Sequence, residues 1–248
     1  MTAALVLAGT RQGGDPFAAA NGVSHKSLIE VGGRPMLERV IGALHDAGMA
    51  QVAVSTNDGA VADLAHKCSA EVIAAADGPS ASVAAALAAF GTPMLVTTSD
   101  HALLRAEWVR EMVGRTPETA DVGIMLARQD RVEAALPGAR RTYLAFADGR
   151  WSGCNLFYLR TARAEAAIDL WQMVEADRKR PWRIAARLGP ATLLSMLLCR
   201  LTLAEGIARL GRRIGIEAAL VPATDGLAAV DVDKPADLVA VRRLVAQD

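Results

Sequence analysis

The spacing of apolar and polar positions changes several times along this 248-residue chain. Residues 4–8 are apolar without a break, as in a strand buried on both faces. From 35 to 48 the apolar residues Met36, Leu37, Val40, Ile41 and Leu44 recur at helical spacing, and Gly48 supplies a stop signal. Short apolar runs predict strands over 51–55 and 71–75, with a helix over 61–67 between them. An alanine-rich helix opens near Gly78-Pro79-Ser80-Ala81-Ser82-Val83 and runs to Ala89. Residues 93–98 predict a fourth strand, followed by a helix through Met112 and a strand over 121–127. The stretch 128–149 is polar and turn-rich, and 151–159 reads as another strand. Helices follow over 162–175, 193–198 and 201–210, then a strand over 218–222.

Strands that alternate with helices predict an α/β fold: a three-layer α/β/α doubly wound, mostly parallel sheet with ligands beyond the strand C-termini. The extra helical block at about 162–214 is an insertion in one domain spanning 1–248. Its apolar faces pack into the core or against a second copy in a homodimer. Alternatively, Asp177-Arg178-Lys179-Arg180 beside Trp182 lies against a membrane surface or a lipid-like acceptor.

Lysine plus arginine equals aspartate plus glutamate at 27 each, and aromatics are only 4%. Both values argue against nucleic acid as a partner. Cys68, Cys154 and Cys199 have no ligand or disulfide spacing, which suggests a reducing compartment. No secretory signal opens the chain and no apolar run is long enough to span a bilayer, so the cytoplasm is expected.

The candidate chemistry begins where the first strand ends. Gly9 follows at once, then Arg11, Gly13, Gly14 and, beyond a small-residue loop, Lys26. A strand that breaks into a glycine-rich loop can aim several backbone N–H groups at an anion, and the bracketing Arg and Lys add fixed charge. Gly9 serves equally well as a tight turn. The loop is neither a P-loop nor a dinucleotide fingerprint. Ser55, Thr56, Asn57 and Asp58 close the second main strand, where they either turn and cap the chain or contact a base. Ser80 or Ser82 can N-cap the alanine-rich helix. Asp100 leaves the fourth strand, where it suits either a Mg²⁺ site or the N-cap of the next helix. Asn155 is the polar outlier of an apolar strand and needs a partner.

Leu7-Ala8-Gly9, Arg11, Lys26, Leu28 and Gly33-Arg34-Pro35-Met36-Leu37 together resemble the N-terminal signature of the MobA-like NTP transferases, a nucleotidyltransferase family with a GT-A-like fold. The usual Arg-Met-Gly is missing from the loop, and no proline follows Asp100 closely. The resemblance implies that Leu7, Ala8, Gly9, Thr10, Gly13 and Gly14 line the nucleotide with Asn57, Ser80 and Ser82. The Ser-Ala-Ser-Val turn is similar to the cytidylyltransferase version and favours CTP slightly. Arg11 and Lys26 would hold the β- and γ-phosphates. The stretch Asp231-Val232-Asp233-Lys234-Pro235-Ala236-Asp237-Leu238 resembles the family's closing motif, which ends a strand, opens the last helix and completes a Mg²⁺ site with Asp100. Alternate strand residues face opposite ways, so only one of Asp231 and Asp233 can easily point at the metal; the match of the Pro-x-Asp-Leu tail to the family motif makes Asp233 the first choice and Asp231 the second. Asp237 is better explained as charge in the first helical turn. On the acceptor side the resemblance implies Gly153 and Asn155, and places an acceptor phosphate near Arg140 and Arg141.

The implied reaction joins the NMP of an NTP to a small phosphorylated acceptor and releases pyrophosphate, with Mg²⁺ as cofactor. Two rivals share the fold. A family-A glycosyltransferase normally carries Asp-x-Asp in mid-chain, whereas here Ser99-Asp100-His101 stands there. A catalytically degenerate nucleotide-binding protein would account for the missing Arg-Met-Gly.

Overall fold

The computed structural model describes residues 2–10, 14–138, 141–176 and 201–247. In chain order these form β1 (Ala3–Leu7), α1 (Pro16–Ala20), β2 (Glu30–Val31), β3 (Arg34–Pro35), α2 (Met36–Asp46), β4 (Gln51–Thr56), α3 (Gly59–Lys67), β5 (Glu71–Ala74), α4 (Pro79–Phe90), β6 (Met94–Thr98) and α5 (Ala106–Arg115). Then come β7 (Val122–Arg128), α6 (Gln129–Ala135), β8 (Leu144–Phe146), β9 (Gly149–Leu159), α7 (Glu165–Ala176), α8 (Leu203–Arg213), β10 (Ala218–Pro222) and α9 (Pro235–Val245). The chain divides into two compact units, residues 1–111 with 230–248, and residues 112–229. The expected apolar helix at 193–198 and the basic cluster beside Trp182 lie outside the described residues. No helix among the described residues is long and apolar enough to cross a membrane.

In the first unit β1 pairs in parallel with β4 on one side and β6 on the other, and β4 pairs in parallel with β5. The chain therefore steps outward from β1 to β4 and β5, then returns to the far side of β1 at β6. Right-handed crossovers place α2 and α3 on one face and α4 on the other. The strand order reverses beside β1, and the loops leaving β1 and β6 are neighbours at one end. The register pairs Leu7 with Thr98, and Ser99 N–H donates to the Leu7 carbonyl at 3.0 Å. Leu5, Val6, Val54, Leu95 and Val96 are buried, as are Met36, Leu37, Val40, Ile41 and Leu44 of α2. Continuous apolar runs and a helical stripe are therefore the two halves of one core. Gly48, with φ +86°, follows the α2 C-cap Ala47 and accepts a left-handed conformation at little cost.

In the second unit β7 runs parallel to β10 and antiparallel to β9, which also pairs with β8. Asp121 joins the ends of this sheet. One carboxylate oxygen accepts from Thr161 Oγ1 at 2.6 Å and the other from Glu217 N–H at 2.8 Å. Leu126, Trp151 and Leu203 form its apolar centre with Ile124, Phe146, Ile207 and Leu220.

Several local expectations change. The loop 15–24 contains α1, capped by the Asp15 carboxylate on Phe17 N–H at 2.9 Å. Glycines 32 and 33, with φ +60° and +72°, close a hairpin between β2 and β3. The polar stretch 128–149 holds α6 and β8. No strand leads into 231–233; a 3₁₀ turn at Gly226–Ala229 precedes an irregular segment. Neither Ser80 nor Ser82 caps α4, because Pro79 opens the helix and Gly78 is its N-cap.

Gly226 faces the α6 backbone so closely that a Cβ there would drive into the Arg131 carbonyl and come within 2.6 Å of Val132 N. Gly226→Ala is expected to destabilise the protein by about 3 kcal/mol, the upper end of overpacking costs. Urea unfolding followed by tryptophan fluorescence measures the loss.

Candidate functional site

Three segments of the first unit converge where β1 and β6 end. Lys26 opens a 3₁₀ turn (Lys26–Leu28), Asp100 leaves β6, and Asp233 lies just ahead of α9. Lys26 Nζ lies 2.6 Å from Asp100 Oδ2 and 2.7 Å from Asp233 Oδ1. The two oxygens are therefore at most about 5.3 Å apart. Side-chain exposure falls from 62% at Asp233 to 23% at Lys26 and 10% at Asp100, so one carboxylate is reached by water and the other is inside.

Backbone hydrogen bonds set this convergence. Val232 N–H donates to the Asp100 carbonyl at 3.1 Å, which docks the 230–233 segment beside the end of β6. The Asp237 carboxylate accepts from the N–H groups of Asp233 and Lys234, both at 3.2 Å, and fixes the entry to α9. That is the first-turn role expected for Asp237. Asp100 stands six residues ahead of α5, so it is not the N-cap of that helix.

Burial disfavours the Lys26 ammonium, but Asp100 and then Asp233 outweigh it and hold the lysine pKa above its ordinary value. Lys26 is thus no solvated loop lysine. Asp100 Oδ1 is buried and has no hydrogen-bond partner among the described residues.

His25 is a functional neighbour that sequence reasoning left unused, although it directly precedes Lys26. It is 3% exposed, and its Nδ1 accepts from Ser27 N–H at 3.1 Å and pairs with Ser27 Oγ at 2.7 Å. The ring also bonds to the backbone of Gly9. One buried imidazole therefore joins the turn after β1 to the start of the Lys26 turn. A histidine beside a candidate phosphate lysine was the available signal.

Leu7 and Ala8 end β1 and lead into Gly9 and the exposed Thr10, and Gly14 has φ +80°. Arg11 and Gly13 lie outside the described residues. Asn57 is at the end of β4, but its amide is engaged with Ala75, donating to the carbonyl at 2.8 Å and accepting the N–H at 3.0 Å. Asp58 caps α3 through Val61 N–H at 2.9 Å. Ser80 and Ser82 are buried in the first turns of α4, where Ser82 Oγ accepts from Ala76 N–H at 3.0 Å. Asp231 is 9% exposed, and Asp233, not Asp231, shares Lys26 with Asp100.

In the second unit Arg140 lies outside the described residues, Arg141 is half-buried and Gly153 is exposed. Asn155 sits in β9 at φ +50°, beside the register shift between Ile124 and Leu126 of β7. Its place in an apolar strand follows from a bulge, because asparagine tolerates the left-handed conformation. An open cavity of about 240 Å³ in this unit is lined by Arg128, Gln129, Asp130, Glu133 and Arg150. The Arg128 and Arg150 guanidinium groups lie over the rings of Trp151 and Tyr143, at 5.9 and 5.7 Å.

A sheet that reverses its order beside β1 is the α/β arrangement in which ligands bind beyond the strand C-termini. The family model described as "MobA-like NTP transferase domain" matches residues 4–150, and the chain belongs to that nucleotidyltransferase family. A solved structure described as a hypothetical transferase from Thermus thermophilus is 33% identical, with a TM-score of 0.84 over 96% of this chain and 99% of that one. The structure of CMP:2-keto-3-deoxy-manno-octonic acid synthetase complexed with CTP matches at 17% identity, with a TM-score of 0.62 over 99% and 98% of the two chains. The 2-C-methyl-D-erythritol 4-phosphate cytidylyltransferase from Thermus thermophilus matches at 17% and a TM-score of 0.55, over the same shares. No curated protein matches the chain.

Burial holds the His25 pKa below its ordinary value of 6.5, against the opposing pull of the Gly9 bond and Asp58. A depressed histidine contributes stability that is fully present above 6.5 and is lost as pH falls toward the folded value, because the unfolded chain takes up the proton first. Urea midpoints are expected to fall on acidification below that value. His25→Asn, which keeps an acceptor for Ser27 N–H, is expected to flatten that fall.

Proposed function

We propose that this protein is a Mg²⁺-dependent nucleotidyltransferase that moves the NMP of an NTP, with CTP favoured, onto a small phosphate-bearing acceptor and releases pyrophosphate. The single observation that carries the reading is the Lys26 ammonium held between Asp100 and Asp233 where β1 and β6 end. The preference for CTP draws support from the buried Ser80 and Ser82. It also draws on two structural neighbours, one solved with CTP and one named for cytidylyl transfer onto a 4-phosphate.

The donor set fits a magnesium ion. Both side chains offer hard carboxylate oxygens, and Asp100 Oδ1 is a buried acceptor with no partner among the described residues. No cluster of three acidic, histidine or cysteine residues forms among the described residues, so a triphosphate and water would complete the ligand set. In this reading Asp100 and Asp233 hold the ion, with Asp231 as the buried reserve. When bound, Mg²⁺ supplies charge neutralisation at the α-phosphate.

The chain's own residues do the rest by position and charge. In this reading the β- and γ-phosphates are bound by backbone amides after β1. Lys26 and Arg11 steady the charge that grows on departing pyrophosphate. No general base is needed, because a phosphate monoester oxygen is already ionised near neutral pH. Arg140, Arg141, Gly153 and Asn155 belong to the acceptor side, and the acceptor's phosphate is recognised by guanidinium groups.

Pyrophosphate release with each of the four NTPs and a pool of phosphorylated acceptors tests the reaction; no release with any of them rejects it. Lys26→Ala is expected to lower kcat/KM by the equivalent of about 2–4 kcal/mol. It should also cost stability, since Asp100 loses its cation. Asp100→Asn is expected to abolish turnover while keeping the fold, measured by pyrophosphate release and circular dichroism.

The base preference is tested separately. CTP with Mg²⁺ is expected to raise the thermal unfolding midpoint more than GTP at equal concentration. A larger shift with GTP moves the assignment to guanylyl transfer.

A further inference from the structure

We infer that Lys26 acts as a built-in stand-in for the divalent cation. Before nucleotide arrives, its ammonium holds Asp100 and Asp233 together and keeps free metal out. An incoming triphosphate draws the lysine off, so nucleotide and metal enter together. The inference rests on the reading of Lys26 as a triphosphate ligand.

The geometry carries it. One nitrogen contacts an oxygen of each carboxylate, at 2.6 and 2.7 Å. Those are the two side chains proposed as metal ligands, so a cation and the ammonium compete for the same place. An ammonium has three donors, and the two aspartates use two of them. Its contacts leave Asp100 Oδ1 buried without a partner among the described residues, so the resting arrangement is not saturated.

Release is easy to arrange. Lys26 carries a flexible four-carbon stem, and its side chain retains 23% exposure. The backbone beneath it is pinned. His25 joins Gly9 to Ser27 N–H, the Leu28 N–H donates to the His25 carbonyl at 3.0 Å, and the Ile29 N–H donates to the Lys26 carbonyl at 3.0 Å. Only the side chain has to swing, and the loop after β1, where a triphosphate would sit, is joined to its pivot. A triphosphate offers the ammonium more negative charge than two carboxylates do. When the lysine leaves, the carboxylates are left as unbalanced like charges that favour a new cation.

The consequence differs from that of an incomplete ligand set. If metal alone binds weakly only because phosphate oxygens are missing, removing Lys26 does nothing to help it. If Lys26 competes, removing it tightens metal binding in the absence of nucleotide. The test is Mn²⁺ binding by electron paramagnetic resonance on nucleotide-free protein. Lys26→Met is expected to bind Mn²⁺ about tenfold tighter than wild type, the order expected when a charge-assisted contact no longer has to be broken. Lys26→Met combined with Asp233→Asn is expected to lose that gain.

Unchanged or weaker Mn²⁺ binding by Lys26→Met overturns the inference, and so does a gain that survives Asp233→Asn. Should Lys26→Met not fold, Lys26→Gln removes the same charge while keeping a hydrogen-bonding group, and is judged by the same outcomes. Binding of CTP in excess EDTA separates this inference from the reading beneath it. If Lys26→Met binds metal-free CTP as well as wild type does, the triphosphate role of Lys26 fails. If CTP weakens but Mn²⁺ binding is unchanged, that role stands and the stand-in fails.

Discussion

The contact of one ammonium with two carboxylates organises the first unit. Lys26, Asp100 and Asp233 come from three distant stretches, with 74 residues separating the first pair and 207 separating Lys26 from Asp233. Asp100 is nearly buried, and a carboxylate there needs a cation beside it. The sheet reversal that puts the ends of β1 and β6 side by side creates this requirement, and the Val232 N–H bond to the Asp100 carbonyl helps to meet it. Removing the Lys26 segment leaves the two carboxylates as uncompensated like charges at the same spot.

Much of this was legible in the sequence, because the signals were of the kind that burial enforces. Parallel strands buried on both faces read as unbroken apolar runs, so β1, β4 and β6 were found to within a residue or two. The apolar stripe from Met36 to Leu44 and the stop at Gly48 marked α2 for the same reason. Asp100 stood out because a charge at the end of an apolar run has few structural uses. Asp233 was preferred to Asp231 by the match of the Pro-x-Asp-Leu tail to the family motif. Asp233 is the partner of Lys26, although the segment is not a strand and its placement comes from how its backbone docks on Asp100.

The misses share a cause as well. Ser80 and Ser82 looked like caps, but proline at the first helical position moves the start of α4 ahead of both. Asn155 looked like a polar outlier in an apolar strand, and a bulge opposite β7 explains how the backbone accommodates it there. Asn57 looked available to a base, yet its amide spends its hydrogen bonds on Ala75. In each case the residue type was read correctly as polar and unusual, while the backbone around it, which no side-chain pattern reveals, decides its use. The short α1 and the β2–β3 hairpin were hidden because five-residue and two-residue elements have no periodicity to detect. His25 was passed over because its partners, Gly9 and Ser27, are ordinary residues whose backbone does much of the bonding.

The wide separation of the three charged residues also bears on how the protein is made. Ribosomes deliver the chain from the N-terminal side at about 5–20 residues per second, so Lys26 and Asp100 precede Asp233 by on the order of ten seconds. During that interval the emerging chain presents a lysine with one acidic partner and a glycine-rich loop, but no docked segment at 230–233. The three-residue contact therefore closes as a late event, when Val232 reaches the Asp100 carbonyl. Until then the nascent protein has Lys26 and Asp100 without the second carboxylate.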